Sequence, residues 1–220
     1  GEGLPHFRHC RFRGEYPFAE VELTDPDFPL EARVLAFNPF IPLNDKDSGL
    51  PVAVLTYALR NLGKRKLQVS VMGNLTNIIG AEGRVNRQRT GRGLTGLYLT
   101  TEGLAHDDPG FGSLALCTPS GQGAWVWPRW HDDRILKFWE AVAWVQNFPP
   151  RGQGESATGT VGVNLVLGPG EGVEVPFLIA WHFPTYEHWH RPEGAERGAT
   201  WRNWYATQWK DAWDVAAYVW

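Results

Sequence analysis

Hydrophobic and polar residues alternate along most of this 220-residue chain, as they do in β-strands with one face in a core. Residues 51–74 show the pattern most clearly, because Val52 and Val54 fall on one side while Leu55 and Tyr57 fall on the other. A turn at residues 61–64 interrupts the alternation, which resumes at Leu67 and predicts an antiparallel hairpin of two long strands. The same pattern predicts strands at 18–23, 30–37, 94–101, 113–118, 123–127, 161–167 and 173–181, with a turn at 168–172 between the last two.

About nine strands without intervening helices predict a mainly β fold, an antiparallel β-sandwich of two sheets. Residues 132–145 depart from the pattern, because apolar side chains recur there at helical spacing after an aspartate pair suited to an N-cap. We therefore predict a short inserted helix. Residues 149–159 are polar and rich in glycine, which is typical of a mobile connection.

Residues 200–220 carry the largest apolar stripe of the chain. Its members are three or four positions apart, which predicts one amphipathic helix over 200–220; they are Trp201, Tyr205, Trp209, Ala212, Trp213, Ala216 and Trp220, with Trp204 and Tyr218 beside them. The helix could pack on its own domain, as most amphipathic helices do. The alternative, which we favour because so many aromatic rings need a large partner surface, is a joint with a further domain.

This interpretation divides the chain into a sandwich domain, 1–199, and a linker helix, 200–220. The predicted interface residues are Trp201, Trp204, Tyr205, Trp209 and Trp213. If the partner domain is absent, the same residues predict self-association of the isolated chain.

Composition narrows the function classes. A net charge of -3 with 20% charged residues does not favour a nucleic-acid partner. No run of about 18 apolar residues predicts a membrane span. Cys10 and Cys117 are the only cysteines and are interpreted as two isolated buried thiols, with one long-range disulfide as the alternative. The two cysteines do not identify the cellular compartment, and we slightly favour a cytoplasmic or membrane-peripheral location.

Two clusters invite a metal-binding interpretation. Residues 44–49 begin like a calcium loop, but Thr56 stands where an EF-hand needs a carboxylate, so an Asx-type turn is favoured. His182, His188 and His190 lie close together near Glu187, yet no further ligand has a defined spacing. We therefore predict neither a metal ion nor a cofactor.

A basic run extends from residue 84 to residue 92. Arg84, Arg87, Arg89 and Arg92 could contact phosphate, but the run has neither a phosphate-loop lysine nor interleaved aromatic residues. A solvated hairpin loop is the favoured interpretation.

Twelve tryptophans raise the question of sugar binding. Trp125, Trp127 and Trp130 could form an exposed stacking platform, or they could belong to the core, and the sequence leaves both open. A glycosidase also needs two carboxylates at a defined separation. None of the candidates stands in a distinctive context, so no catalytic residue is predicted; they are Glu15, Glu102, Asp107, Asp108 and Glu187.

Several stretches together resemble one protein family, in the right order and over nearly the whole chain. They are GEYPFAEVEL (14–23), LEARVLAFNPFIPLNDKDSGLPVAVLTYALRN (30–61), GLYLTT (96–101), FGSLALCT (111–118), VPFLIAWHFPTY (175–186) and NWYATQWKDAWDVAAYV (203–219). These resemble the N-terminal region of non-lysosomal glucosylceramidases, also called bile-acid β-glucosidases, and their bacterial β-glucosidase relatives.

The resemblance implies a β-sandwich followed by an (α/α)6 helical domain, which in that family carries both catalytic carboxylates of a retaining β-glucosidase. Its implied partners are that helical domain and, through the whole enzyme, a β-glucoside or glucosylceramide. No matched position here corresponds to a catalytic residue. The expected function is a non-catalytic domain that buttresses the helical domain and shapes its substrate entrance. The alternatives are a free-standing carbohydrate- or glycolipid-binding module and, after it, an independent enzyme.

Overall fold

The structure is a computed structural model that describes residues 4–121, 123–130, 134–144, 156–187 and 200–220. Its strands are β1 (His9–Glu15), β2 (Phe18–Thr24), β3 (Leu30–Phe37), β4 (Val52–Asn61), β5 (Leu67–Thr76), β6 (Arg84–Gly91), β7 (Leu94–Thr101), β8 (Ser113–Pro119), β9 (Ala124–Trp127), β10 (Thr158–Leu167), β11 (Gly172–His182), β12 (Thr185–Glu187) and β13 (Thr200–Arg202). Its helices are α1 (Asp45–Ser48), α2 (Ile135–Trp144) and α3 (Ala212–Val219), with one turn of 3-10 helix at Trp204–Thr207.

The strands form an antiparallel sandwich, as predicted. The large sheet has the order β1-β2-β3-β4-β11-β8-β7-β6, and the small sheet has the order β5-β10-β9. A separate two-stranded ribbon pairs β12 with β13. Thirteen strands within the described ranges exceed the predicted nine. The four extra strands are β1, β6 and the two ribbon strands, which carry few apolar residues and have none that is buried.

Two cores lie on opposite faces of the large sheet. Leu59 of β4 and Phe177 of β11 face the small sheet, and together with Val161 of β10 they belong to the main core. Val52 and Val54 of β4 face the other way, into a second core that α3 completes. The alternation along β4 therefore leaves apolar side chains on both faces, because both faces are covered.

The hairpin predicted over residues 51–74 is wrong. Both strands form, but β4 pairs with β3 and β11 while β5 pairs with β10 of the small sheet. The turn at 168–172 likewise joins β10 to β11 across the two sheets. Each strand contributes apolar residues to the core, and packing across that core buries more of this surface than pairing side by side.

The single helix predicted over 200–220 is correct only in its second half. Residues 200–202 form a strand of the ribbon, and α3 begins at Ala212. Asp211 lies in extended backbone and caps α3, since its carboxylate accepts a 2.7 Å hydrogen bond from the Asp214 N–H. This cap defines the start of the helix and prevents a continuous helix from residue 200.

The inserted helix forms as α2, and the aspartate pair proposed as its N-cap lies outside the described residues. Residues 149–155 of the predicted mobile connection also lie outside them, while Thr158 and Gly159 already belong to β10. Cys117 is a buried free thiol as predicted, and burial raises its pKa to about 12. Cys10 is free but exposed on β1, so its predicted burial is wrong.

Candidate functional site

The C-terminal segment divides into a buried half and an exposed half. Trp209 and Trp213 are only 5% and 4% exposed and pack in the core beneath α3. Trp201 and Trp204 are 49% and 44% exposed. Tyr205 is half-buried, and its hydroxyl donates a 2.9 Å hydrogen bond to the Phe183 carbonyl. Of the five predicted interface residues, Trp209 and Trp213 therefore serve this domain's own core, and two large rings remain at the surface.

Two arginines of the basic run hold α3 on the sheet. Arg89 lies on β6 and contacts the Asp211 carboxylate at 3.1 Å, and Arg92 contacts that of Asp214 at the same distance. The Arg89 guanidinium also lies 5.3 Å from the Trp213 ring centroid, a cation–π geometry. The predicted solvated loop is thus a strand in a hairpin, and part of its charge binds the start of the C-terminal helix.

His182 fastens the same segment from the end of β11. It is buried, and its Nε2 donates a 2.8 Å hydrogen bond to the Trp209 carbonyl while its ring meets Tyr205 edge to face. Desolvation lowers the pKa of His182 below its ordinary value of 6.5, although the Trp209 carbonyl and the Asp211 carboxylate act in the opposite direction. The imidazole is therefore neutral at pH 7. Of its predicted cluster partners, His188 and His190 lie outside the described residues.

This lowered pKa gives a pH dependence of stability. Near pH 6.5 the histidine binds a proton in the unfolded chain, whereas folded His182 binds it only at lower pH. The free energy of unfolding therefore falls as the pH drops from 6.5 to the pKa of folded His182. Urea unfolding between about pH 7.5 and pH 5.5 should show this fall, and His182→Gln should reduce it, because glutamine can still donate to the carbonyl but does not titrate. His106→Gln changes an exposed imidazole and is the control. An equal fall in His182→Gln and the original protein would exclude His182 as its source.

The loop of residues 38–49 packs beside the end of α3. It contains the predicted Asx-type turn, because the Asn44 side chain accepts a 3.0 Å hydrogen bond from the Asp47 N–H and caps α1. The Tyr218 hydroxyl donates to the Asp47 carboxylate at 2.8 Å. A Cβ added at Gly49 would lie 3.2 Å from the Trp204 ring and 2.8 Å from the Asp45 carbonyl oxygen, so this close approach favours glycine. The loop and the C-terminal segment thus form one surface.

Exposed apolar side chains occur on the loop, on the C-terminal segment, and where the chain enters β2 and leaves β3. We call them the exposed rim: Tyr16, Phe18, Phe37, Phe40, Ile41, Leu43, Trp201, Trp204, Tyr218 and Trp220. The rings of Tyr16 and Phe40 meet edge to face at 5.5 Å, and those of Phe18 and Phe37 lie 6.2 Å apart. Apolar surface concentrated in this way is typical of an interaction site, whereas single exposed apolar residues are not. Sequence periodicity identified the rim residues of 200–220 as an interface but not those of residues 38–43, which have neither helical nor strand spacing.

Of the two alternatives left open for Trp125, Trp127 and Trp130, a platform or a core, two of the rings belong to a core. Trp127 and Trp130 are buried beneath α2, where the Trp130 ring stacks on Phe138 at 4.4 Å. The Trp130 indole N–H donates a 2.8 Å hydrogen bond to the buried Thr160 hydroxyl. These two rings belong to a small core on the outer face of the small sheet. Trp125 is half-buried over Gly162, and sugar contact at this residue stays a prediction.

The carboxylates considered for catalysis are not gathered into a buried site. Glu15, Glu102, Asp107 and Glu187 are exposed and Asp108 is half-buried. Glu102 forms an exposed ion pair with Arg87. In the described part of the chain no three His, Cys, Asp or Glu side chains could together hold a metal ion. No described helix is long and apolar enough to cross a membrane.

A known family matches almost the entire chain. The profile described as "beta-glucosidase 2, glycosyl-hydrolase family 116 N-term" matches residues 3–220. No curated protein matches the sequence.

Solved structures of carbohydrate-active proteins are more distantly similar. A candidate kojibiose phosphorylase from the human microbiome aligns with 74% of this chain at 9% identity and a TM-score of 0.40. A GH36 alpha-galactosidase from Geobacillus stearothermophilus, in complex with stachyose, aligns with 83% of this chain at 10% identity and a TM-score of 0.36. This chain spans only 17% and 26% of the length of those two chains.

Proposed function

The chain belongs to the N-terminal domain family of glycosyl-hydrolase family 116, and from this membership we propose that it is the non-catalytic β-sandwich domain of a retaining β-glucosidase. In this proposal the catalytic carboxylates belong to a separate helical domain of the same enzyme. The substrate is a β-glucoside, of which glucosylceramide is one example. The sandwich buttresses the helical domain and its loops border the substrate entrance.

The structural observation that carries the proposal is the exposure of Trp201 and Trp204 in a segment whose Trp209 and Trp213 pack on the sheet. The 3-10 turn and the ribbon hold both rings at the surface, while Trp209 of the same segment is buried. Tryptophan is enriched among the residues that dominate binding energy at protein interfaces, because one ring buries a large apolar area. Two such rings in the segment that leads to α3 suit a rigid partner domain.

The alternative of a free-standing sugar-binding module depends on an exposed tryptophan platform. Burial of Trp127 and Trp130 removes two of its three predicted members. A module would show a glucoside-dependent change in tryptophan fluorescence in the 220-residue chain, and an independent enzyme would hydrolyse an aryl β-glucoside. We expect neither.

The interdomain role can be tested in the full-length enzyme with the double variant Trp201→Ala, Trp204→Ala. Loss of interface tryptophans typically costs 2 kcal/mol or more of binding free energy, so we expect the coupling between the two domains to weaken by about that amount. Calorimetry should then show separate unfolding transitions for two domains that melt together in the original enzyme. The control is Ile78→Ala, which removes an exposed apolar side chain outside the exposed rim. If the double variant melts like the control, these tryptophans do not form the joint.

A further inference from the structure

We propose that residues 40–43 form a preformed docking element, which inserts Phe40, Ile41 and Leu43 into an apolar groove of the helical catalytic domain. This inference rests on the proposed function and adds a specific contact to it. It assigns a role to the NPFIPLNDKDSG stretch, which is neither a strand nor a metal site.

The domain that carries this element covers its apolar side chains poorly. Leu43 is fully exposed, and Phe40 and Ile41 are about half exposed. Three exposed apolar residues within four positions are unfavourable in a free surface unless a partner covers them.

The backbone at Leu43 supports a role in binding. Its φ is 66°, in the left-handed region that bulky non-glycine residues rarely adopt. Here the strained backbone presents a leucine side chain to solvent and buries nothing within this domain. Strain of this kind persists when the surrounding structure imposes it, and it occurs disproportionately at binding sites.

The surrounding structure does impose it. The Ser48 hydroxyl donates to the Ile41 carbonyl and accepts from the Ile41 N–H, both at 2.8 Å. The Asn38 side chain donates to the Val52 carbonyl at 2.7 Å, and Asn44 caps α1. The element is therefore held in one conformation before any partner arrives, which lowers the entropic cost of docking.

Its location points to the helical domain as the partner. The contact between Tyr218 and Asp47 fastens the loop to the last turn of α3, and Lys46 lies 5.1 Å from the Tyr218 ring centroid. The matched family is an N-terminal domain, so in the proposed function the helical domain comes later in the chain and packs beside this loop. Trp204 packs against Gly49, so the element continues the surface proposed for the joint.

A lipid surface is the less favoured partner. The carboxylates of Asp45 and Asp47 lie next to the apolar residues, and acidic groups oppose contact with anionic membranes. A rigid, hydrogen-bonded loop also matches a shaped protein groove better than a fluid bilayer.

Hydroxyl-radical footprinting of the full-length enzyme tests the inference, because oxidation rates report the solvent exposure of individual side chains. We expect Phe40, Ile41 and Leu43 to react at least about fivefold more slowly than the exposed Leu62 and Ile78, since residues in an interface core are shielded from solvent. Equal rates would overturn the docking element.

The same experiment separates this inference from the proposed function. Protection of Trp201 and Trp204 without protection of Leu43 would leave the domain joint intact and reject only the loop. Exposure of all these residues would reject both. If Leu43 is protected only when phosphatidylserine vesicles are present, the partner is a membrane. If it is protected only at high protein concentration, the partner is a second copy of the chain. Either result would overturn the inference.

A matched pair of variants gives a second readout. Leu43→Asn removes the apolar side chain but suits the left-handed backbone, because asparagine tolerates that region well. Leu62→Asn makes the same change at an exposed leucine outside the rim. In the full-length enzyme Leu43→Asn should increase the footprinting rates of Phe40 and Ile41 severalfold, whereas Leu62→Asn should leave them unchanged. Unchanged rates in both variants would contradict docking through Leu43.

Discussion

Replacing Trp213 with alanine is expected to lower the free energy of unfolding of this domain by about 3–5 kcal/mol, the usual cost of truncating a buried aromatic ring to alanine. Trp213 is almost fully buried between α3 and the large sheet, in the core that contains Val54 and Leu178. Its loss would leave a cavity and remove the ring that the Arg89 guanidinium covers. Urea unfolding of the 220-residue chain measures the effect.

Trp201→Ala is the matched control, because it removes the same side chain from the exposed half of the same segment. Substitutions at exposed sites usually change stability by no more than about 0.5 kcal/mol, so the two variants should differ several-fold in their effect. A large effect of Trp201→Ala in the isolated chain would contradict the division of the segment into a core half and an interface half. So would a Trp213→Ala variant as stable as the original protein.

The C-terminal segment illustrates what apolar periodicity can predict. Of the stripe that spacing identified, Trp209, Ala212, Trp213 and Ala216 are buried, whereas Tyr205 is half-buried and Trp201 and Trp220 are exposed. Spacing could not identify the surface that buries the first four, because an amphipathic face is the same whether its partner is the domain's own sheet or another domain. Nor did it predict that Asp211 would begin the helix, since the stripe continues through that residue without a break.

The strands were predictable for a similar reason and with a similar limit. Alternation depends on each residue and its immediate neighbours, so β3, β4 and β7 were predicted close to their observed bounds. Pairing depends on contacts distant in sequence, and a strand–turn–strand pattern is common to a hairpin and to a crossing between two sheets. The hairpin predicted at 51–74 failed on this point.

The basic run and the tryptophans show how residue type can mislead when contacts are unknown. Arg89 looked solvated, yet its partner Asp211 lies 122 positions later in the chain. Trp127 and Trp130 suited an exposed platform, yet they pack on Phe138 of a helix inserted after them. The partner of Arg89 is remote in sequence, and the partner of the two tryptophans lies on a different element, so a pattern read within one element reports neither contact.

Asn61 shows how the two crossing connections are joined. It is fully buried at the end of β4. The two hydrogens of its side-chain NH2 group are shared among the carbonyls of Arg65, Leu167 and Gly168 at 2.7–3.0 Å, and its side-chain oxygen accepts from the Gly63 N–H at 2.8 Å. One side chain therefore bonds both the β4–β5 turn and the β10–β11 turn, at the point where the chain passes from one sheet to the other.

Because of these bonds, Asn61→Ala is expected to destabilise the domain by about 2–4 kcal/mol, since each buried polar group left without a partner costs roughly 1–3 kcal/mol. Asn61→Asp separates hydrogen bonding from packing. The aspartate side chain keeps the shape of asparagine and the oxygen that accepts from Gly63, but it replaces the NH2 group by a carboxylate oxygen that faces three carbonyl oxygens. We expect it to be at least as harmful at pH 7 as alanine. The control is Asn38→Ala, which loses the side-chain hydrogen bond to the Val52 carbonyl and should cost about 1 kcal/mol. Urea unfolding measures the stability of the three variants. If Asn61→Asp is more stable than Asn61→Ala, the amide donors are not what joins the two sheets.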